Sequence, residues 1–137
     1  MDPSSDIQRL EESSRGTFWD HLGAKLESLS PEGVVVTLDI QPHHLNLIGI
    51  LHGGVHATLI DSAMGLAAMA RKPGESVVTT NLHLHYLAPV NLGTLRVTAE
   101  VVHSSHKMAT TQARAYNESG DLCALGTGTF RIRGGTK

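Results

Sequence analysis

The sequence predicts a single α+β domain in which one long helix packs against one face of an antiparallel sheet of about six strands. Three observations predict it. The chain has 137 residues, enough for one domain that buries roughly two thirds of its unfolded surface. Only one stretch, Gly53 to Ala70, carries a strong helical pattern. Nearly everything after Pro73 alternates with the two-residue period of strands.

The elements follow in order. Residues 4 to 15 are polar, with Ile7 and Leu10 three apart, which fits a short surface helix opened by Ser4 or Ser5, or an unstructured arm. Ala24 to Ser30 and Gly33 to Ile40 read as strands joined by the turn Pro31-Glu32-Gly33. Val34, Val36, Leu38 and Ile40 share one face of the second strand. Pro42 to Gly54 is loop-like and holds three of the nine histidines. In the helix, Val55, Leu59, Ala63, Leu66, Ala67 and Ala70 fall within a stripe of about 120° at 100° per residue. Lys72-Pro73-Gly74 ends it. Residues 76–88 set Val78, Leu82, Leu84 and Tyr86 against Thr79, Asn81, His83 and His85. Residues 94–102 set Leu95, Val97, Ala99 and Val101 against polar partners. Two more runs, about 107–117 and 121–131, are joined by the hairpin turn Asn117-Glu118-Ser119-Gly120. The four strands after the helix are expected as a consecutive meander.

Composition excludes several classes of function. Lys plus Arg number 11 against 13 Asp plus Glu, a net charge of −2, so the basic field of a nucleic-acid binder is missing. A single cysteine, Cys123, excludes an intrachain disulfide framework and a Cys-based zinc finger. It lies in a Gly/Ala/Thr-rich strand and reads as a small buried residue. No apolar run approaches the ~20 residues of a membrane helix, and the polar start is no signal peptide. The expectation is a cytoplasmic protein with neither a nucleic-acid nor a membrane partner. There is no G-x-S-x-G elbow, and Gly126-Thr127-Gly128 lies in a strand rather than before a helix, which excludes a dinucleotide fingerprint there.

The chemistry concentrates at the helix start. Asn46 to Gly54 leads directly into the helix, and Asp61 follows nine residues after His52. The first N–H groups of a helix lack intrahelical acceptors and carry partial positive charge. Gly53 and Gly54 let a ligand approach that backbone, so the site suits an oxygen that develops negative charge. On the wheel Asp61 lies opposite the apolar stripe, beside Ala57, Gly65 and Ala68, and it is the only charged residue from Gly53 to Ala70. A helix this apolar all round must meet a second subunit, a ligand, or both on its other face.

The string His52-Gly53-Gly54, then Leu59-Ile60-Asp61 with Gly65 and Ala67-Ala68, resembles the hotdog-fold acyl-CoA thioesterases of the phenylacetic-acid and 4-hydroxybenzoyl-CoA type. The block Asn81 to Pro89, followed by Leu92-Gly93, is similar to that family's third strand and its turn. The resemblance covers about residues 18–132. It implies a hotdog domain over that span, one long central helix wrapped by the sheet, an N-terminal arm or short helix over 1–17 and a tail over 133–137. It also implies hydrolysis of an aryl- or medium-chain acyl-CoA to free acid and CoA, at sites on the subunit interface of a homodimer or homotetramer, with no cofactor and no metal. In that family's pattern the Gly53 N–H polarises the thioester carbonyl, and Asp61 is nucleophile or general base. Asn46 lies near the thioester, and His52 is an orienting residue. Thr79 helps hold the water, contributed from the neighbouring subunit. Gly54 joins the substrate-binding set. The loop Ser104-Ser105-His106-Lys107 resembles the region that contacts the coenzyme phosphates, with Arg71 as a second basic candidate. Phe18, Trp19 and Leu22 are candidates for the acyl pocket.

Other chemistry competes for the same residues. His83 and His85 are two apart on a strand and so share a face, and with His52 or His56 they suggest a zinc site, but no HExxH or cysteine cluster joins them. Within the same fold, a non-catalytic acyl-CoA-binding protein and a dehydratase or hydratase are the alternatives; the acid nine residues after HGG favours hydrolysis. The nearly all-apolar helix generates the first expectation. Light scattering at micromolar concentration should show at least a homodimer, and a stable monomer would remove any shared-site arrangement.

Overall fold

The computed structural model describes residues 3–134, so 135–137 of the expected tail lie outside the described residues. The elements are α1 (Pro3–Ser13), α2 (Phe18–Leu22), β1 (Lys25–Ser30), β2 (Gly33–Asp39), a 3-10 turn (Pro42–His44), α3 (Gly53–Arg71), β3 (Val77–Tyr86), β4 (Thr94–Ser104), β5 (Met108–Tyr116) and β6 (Leu122–Ile132). The six strands form one antiparallel sheet wrapped around α3, the hotdog arrangement, in the order β1-β2-β4-β5-β6-β3.

That order corrects the expected four-strand meander. Only β4, β5 and β6 follow one another; β3 pairs with β6 at the edge opposite β1. Alternation reveals a strand but not its neighbour. Here α3 crosses the face of the sheet and delivers the chain to the far edge. The connection 87–93 then runs back across the end of the sheet, held by Leu51 N–H to the Val90 carbonyl and Ile40 N–H to the Gly93 carbonyl.

The core is the inner face of the sheet against α3. Val34, Val36, Leu38, Leu95, Val97 and Phe130 are all buried, as are Leu59, Ile60, Ala63 and Met64 of the helix. The buried positions of α3 recur in pairs: Val55-His56, Leu59-Ile60, Ala63-Met64 and Ala67-Ala68. The apolar face is therefore rotated from the expected stripe. Leu66 and Ala70 are only half-buried, and Ala68, expected beside Asp61, is in the core. Shape sets the rotation. Cβ atoms added at Gly126 and Gly128 would stand 2.8 Å from Ile60 Cγ2 and 2.8 Å from Met64 Cε. Two bulky side chains thus seat over two glycines of β6, which is why that strand is rich in small residues.

The two edges of the sheet differ. Glu11 of α1 accepts the Leu26 N–H at 2.9 Å, so α1 covers β1. β3 carries exposed Val78, Leu82 and Tyr86 along an edge that no described element covers, the kind of edge that recruits another strand. Gly126→Ala should lower stability by about 1–3 kcal/mol through overpacking against Ile60. Urea unfolding measures it, and an unchanged midpoint would contradict the close seating of α3.

Candidate active site

β3 contains a bulge that decides the site. Its register with β6 runs Val77 to Ile132, Val78 to Arg131 and Thr79 to Phe130, then jumps to Asn81 opposite Thr129. Thr80 is the extra residue, and its Oγ1 donates to the Thr129 carbonyl at 3.1 Å. Uninterrupted alternation groups Thr79 with His83 and His85. The bulge instead puts Thr79 on the helix side with Leu82, Leu84 and Tyr86, and turns Val78 outward with the histidines.

Thr79 Oγ1 consequently donates to Asp61 Oδ1 at 2.8 Å. Both residues line a cavity of about 350 Å³ walled by α1, α3 and β3, including Leu10, Trp19, Leu66, Met69 and Phe130. The partnership is within one chain, so Thr79 and Asp61 travel together as one unit of the site. The hydrogen bond engages one carboxylate oxygen. Of the expected pocket residues, Trp19 lines this cavity, Phe18 is 63% exposed, and Leu22 is buried in the core.

The other half of the constellation assembles elsewhere. Asn46 Oδ1 accepts the N–H groups of Ile48 at 3.0 Å and Ile50 at 3.2 Å, folding the loop back on itself. Gly53 opens α3, and among the described residues its N–H meets no acceptor. Tyr86 backs it from β3: the hydroxyl donates to the Gly53 carbonyl at 2.9 Å, and a Cβ on Gly53 would stand 3.3 Å from the Tyr86 ring. Asn46, Gly53, Gly54, His56 and Tyr86 line one open hollow, distinct from the cavity of Asp61. His52 caps the helix, its Nδ1 accepting the Gly54 N–H at 2.7 Å. The Gly54 N–H is thus occupied by His52, while Gly54 itself still lines the hollow beside Gly53.

Gly53 and Asp61 are eight residues apart on α3, about 12 Å along the axis at ~1.5 Å per residue. An oxyanion donor must lie about 2.7–3.1 Å from the oxygen it stabilises, and an attacking group about 3–3.5 Å from the carbon. At that separation the Gly53 N–H and the Asp61 carboxylate of one chain do not both touch one thioester carbonyl directly.

The basic candidates divide. His106 and Lys107 share a hollow of about 330 Å³ with Arg131 and Arg133, two residues that no sequence motif marks. Ser105 is used in closing the β4–β5 turn, its N–H donating to the Met108 carbonyl at 2.8 Å. Arg71 does not join that hollow; it reaches the Pro31 carbonyl at 3.5 Å. The His83 and His85 rings lie 5.0 Å apart, and no group of three potential ligands occurs among the described residues. His44 is structural: Nδ1 accepts the Gln41 N–H at 2.9 Å, which leaves Nε2 to donate to the Leu22 carbonyl at 2.8 Å. Cys123 is buried, which pushes its thiol pKa up.

Tyr86 and His56 were missed as site residues. Tyr86 stands in the block compared with the family's third strand, but its partnership with Gly53 spans 33 residues and leaves no local pattern.

The sequence model of the Thioesterase superfamily matches residues 48–124. The chain is 30% identical over 137 residues to acyl-coenzyme A thioesterase 13 of Mus musculus, covering 94% of this chain and 98% of that protein. A mutant of the phenylacetic acid degradation protein PaaI from Thermus thermophilus superposes with a TM-score of 0.77 at 35% identity, over 83% of this chain and 96% of that one. Zebra fish thioesterase superfamily member 2 shares the fold with a TM-score of 0.87 at 24% identity, over 97% of this chain and 99% of that one.

His56 generates a pH dependence. Its ring is buried edge-on to Tyr86 at 5.7 Å, its Nδ1 has no partner among the described residues, and burial pushes its pKa below 6.5. The unfolded chain therefore binds a proton that the native state refuses. The stability that neutral His56 confers is complete above pH 6.5 and is lost as pH falls from there through its lower native value. Thermal melts from pH 8 to pH 5 should fall more steeply for wild type than for His56→Phe; parallel profiles would refute this.

Proposed function

The chain belongs to the Thioesterase superfamily, and from that premise we propose that it hydrolyses acyl-CoA thioesters of the aryl or medium-chain class at a site shared between two subunits. The single observation that carries the shared site is the 12 Å or so between Gly53 and Asp61 along α3. Gly53, with Asn46 beside it, serves the carbonyl from one subunit, and Asp61 with Thr79 serves it from the other. The open edge of β3, with Val78, Leu82 and Tyr86 exposed, is the surface through which two copies meet.

In the reaction the thioester oxygen rests on the Gly53 N–H. Thr79 fixes Oδ1 of Asp61, so Oδ2 takes a proton from water as the water oxygen bonds to the carbonyl carbon. Asp61 acts here as general base rather than nucleophile. The tetrahedral oxyanion is stabilised at Gly53, a contribution typically of ~2.7–4 kcal/mol. Its collapse breaks the carbon–sulfur bond, and the proton held by Asp61 passes to the departing sulfur, giving free acid and CoA. No step calls for a metal. The hollow of Lys107, Arg131 and Arg133 receives the coenzyme phosphates. Among the described residues no histidine lines the Asp61 cavity, which favours hydrolysis over the acid–histidine pairing of a dehydratase.

Asp61→Asn should reduce kcat by roughly 10²–10⁴, the range for a positioned acid or base, with little change in substrate affinity. Thr79→Ala should cost less, and Asn46→Ala should fall between them. Gly53→Pro deletes the N–H at the helix position where proline is best tolerated, and His52 already has the extended conformation that precedes proline, with ψ 137°. It should cost about 10²–10³ in kcat. Mixing unfolded Asp61→Asn and Gly53→Pro chains and refolding them together should recover roughly a quarter of wild-type activity, because half the dimers are mixed and each carries one intact site. Folded variants that stay inactive on mixing would place both groups in one chain, and a folded Asp61→Asn enzyme with more than about a third of wild-type activity would move the chemistry elsewhere.

A further inference from the structure

α1 lies outside the segment 48–124 that matches the superfamily, yet it walls the cavity of Asp61. Leu10 and Glu11 of α1 face Leu66 and Met69 of α3 across it. Beyond them a second cavity, of about 420 Å³, runs to Pro31 and Pro73. The two cavities share three residues, Leu10, Leu66 and Met69. These side chains form a partition, apolar and flexible, between an inner chamber that holds the carboxylate and an outer chamber that does not. Asp6 and Arg9, paired at 2.9 Å, line the outer chamber.

Distances along α3 give the scale. Leu66 and Met69 follow Asp61 by five and eight residues, about 8 and 12 Å along the axis. An extended acyl chain advances roughly 1.25 Å per carbon–carbon bond, so that span accommodates about six to ten carbons. The position of α1 depends on few contacts: the Glu11 carboxylate on the Leu26 N–H, and Ile7 and Leu10 packed on the core.

We propose that α1 is the acyl-length ruler of this enzyme: Leu10, set against Leu66 and Met69, admits a straight medium-length aliphatic chain to the inner chamber and stops longer chains at the partition. The assignment rests on the thioesterase reading and narrows it from aryl or medium-chain to medium-chain aliphatic groups. Two chambers in line along a helix, divided by leucine and methionine, suit a flexible linear chain. Leu10 belongs to the partition with Leu66 and Met69 rather than to the groups that carry the chemistry, so it acts on which chain fits.

The test is kcat/KM over CoA thioesters of straight acyl chains from four to sixteen carbons, with phenylacetyl-CoA alongside, for wild type, Leu10→Ala and Leu10→Phe. Wild type should prefer chains of about six to ten carbons over both the fourteen-carbon chain and the aryl group. Leu10→Ala should raise the ratio of fourteen- to eight-carbon activity by about tenfold, by opening the partition to several more buried methylenes. Leu10→Phe should shift the preference to shorter chains. Taking ratios within one preparation cancels any general loss of folded enzyme, and if Leu10→Ala does not fold, the direction of the Leu10→Phe shift decides. Unchanged ratios in active, folded variants, or a wild-type preference for the aryl group, overturn the ruler and leave the thioesterase reading standing. Release of no thiol from any substrate by wild type overturns the thioesterase reading, and the ruler with it.

Discussion

The seating of α3 in the sheet is the constraint on which the rest depends. Ile60 and Met64 occupy space that side chains at Gly126 and Gly128 would fill, so the helix can neither rotate nor lift without opening a void or a clash. Interiors pack at crystal-like density and resist both. Once that face is fixed, Asp61 and Gly65 must lie on the opposite side, toward α1, and the N-terminus of the helix must emerge beside the end of β3. The small residues of β5 and β6 belong to the same requirement. They let the sheet curve closely around a helix whose core positions pass from Leu59 and Ile60 to Ala67 and Ala68.

The bulge at Thr80 is the second determinant, because it converts a strand edge into half of a site. A single extra residue reverses which side chains face the helix. Without it Thr79 would point away from α3, and Asp61 would lack its hydrogen bond within the chain. With it, Thr79, Leu82, Leu84 and Tyr86 all serve the helix side, and Tyr86 reaches the first residue of α3. The same strand therefore supports the carboxylate near its start and the helix N-terminus at its end.

The two halves so built are complementary rather than coincident. One chain presents an N–H at Gly53 that no described residue accepts and, about 12 Å away along the axis, a carboxylate in a cavity walled by both apolar and polar side chains. One edge of its sheet is covered by α1, and the other, β3, is covered by no described element and mixes exposed Val78, Leu82 and Tyr86 with polar side chains. In the proposed assembly the bare edge is the contact, and it brings the donor of each copy to the acid of the other. α1 then has a dual position: it protects β1 from adding another strand, and it roofs the cavity in which the acyl chain is proposed to lie.

Much of this was legible in the residues themselves. The span of α3, the strand positions and the turns at Gly33 and Gly120 follow from local patterns, because apolar periodicity and backbone preference act over a few residues. The spacing of Gly53 and Asp61 along α3 was legible as well, since helix geometry alone fixes how far apart residues on one helix stand. Strand order, the rotation of the buried face of α3 and the facing of Thr79 were not. Each depends on contacts between residues far apart in the chain: β3 with β6, Ile60 with Gly126, Thr80 with Thr129. Local alternation is blind to a bulge, because the pattern of Thr, Asn and His around it reads equally well in either register. The sequence by itself determined which groups the protein possesses and on which elements they ride. Only the tertiary structure decided that Thr79 meets Asp61, because a hydrogen bond requires atoms about 3 Å apart, and separation along the chain between two different elements does not measure distance.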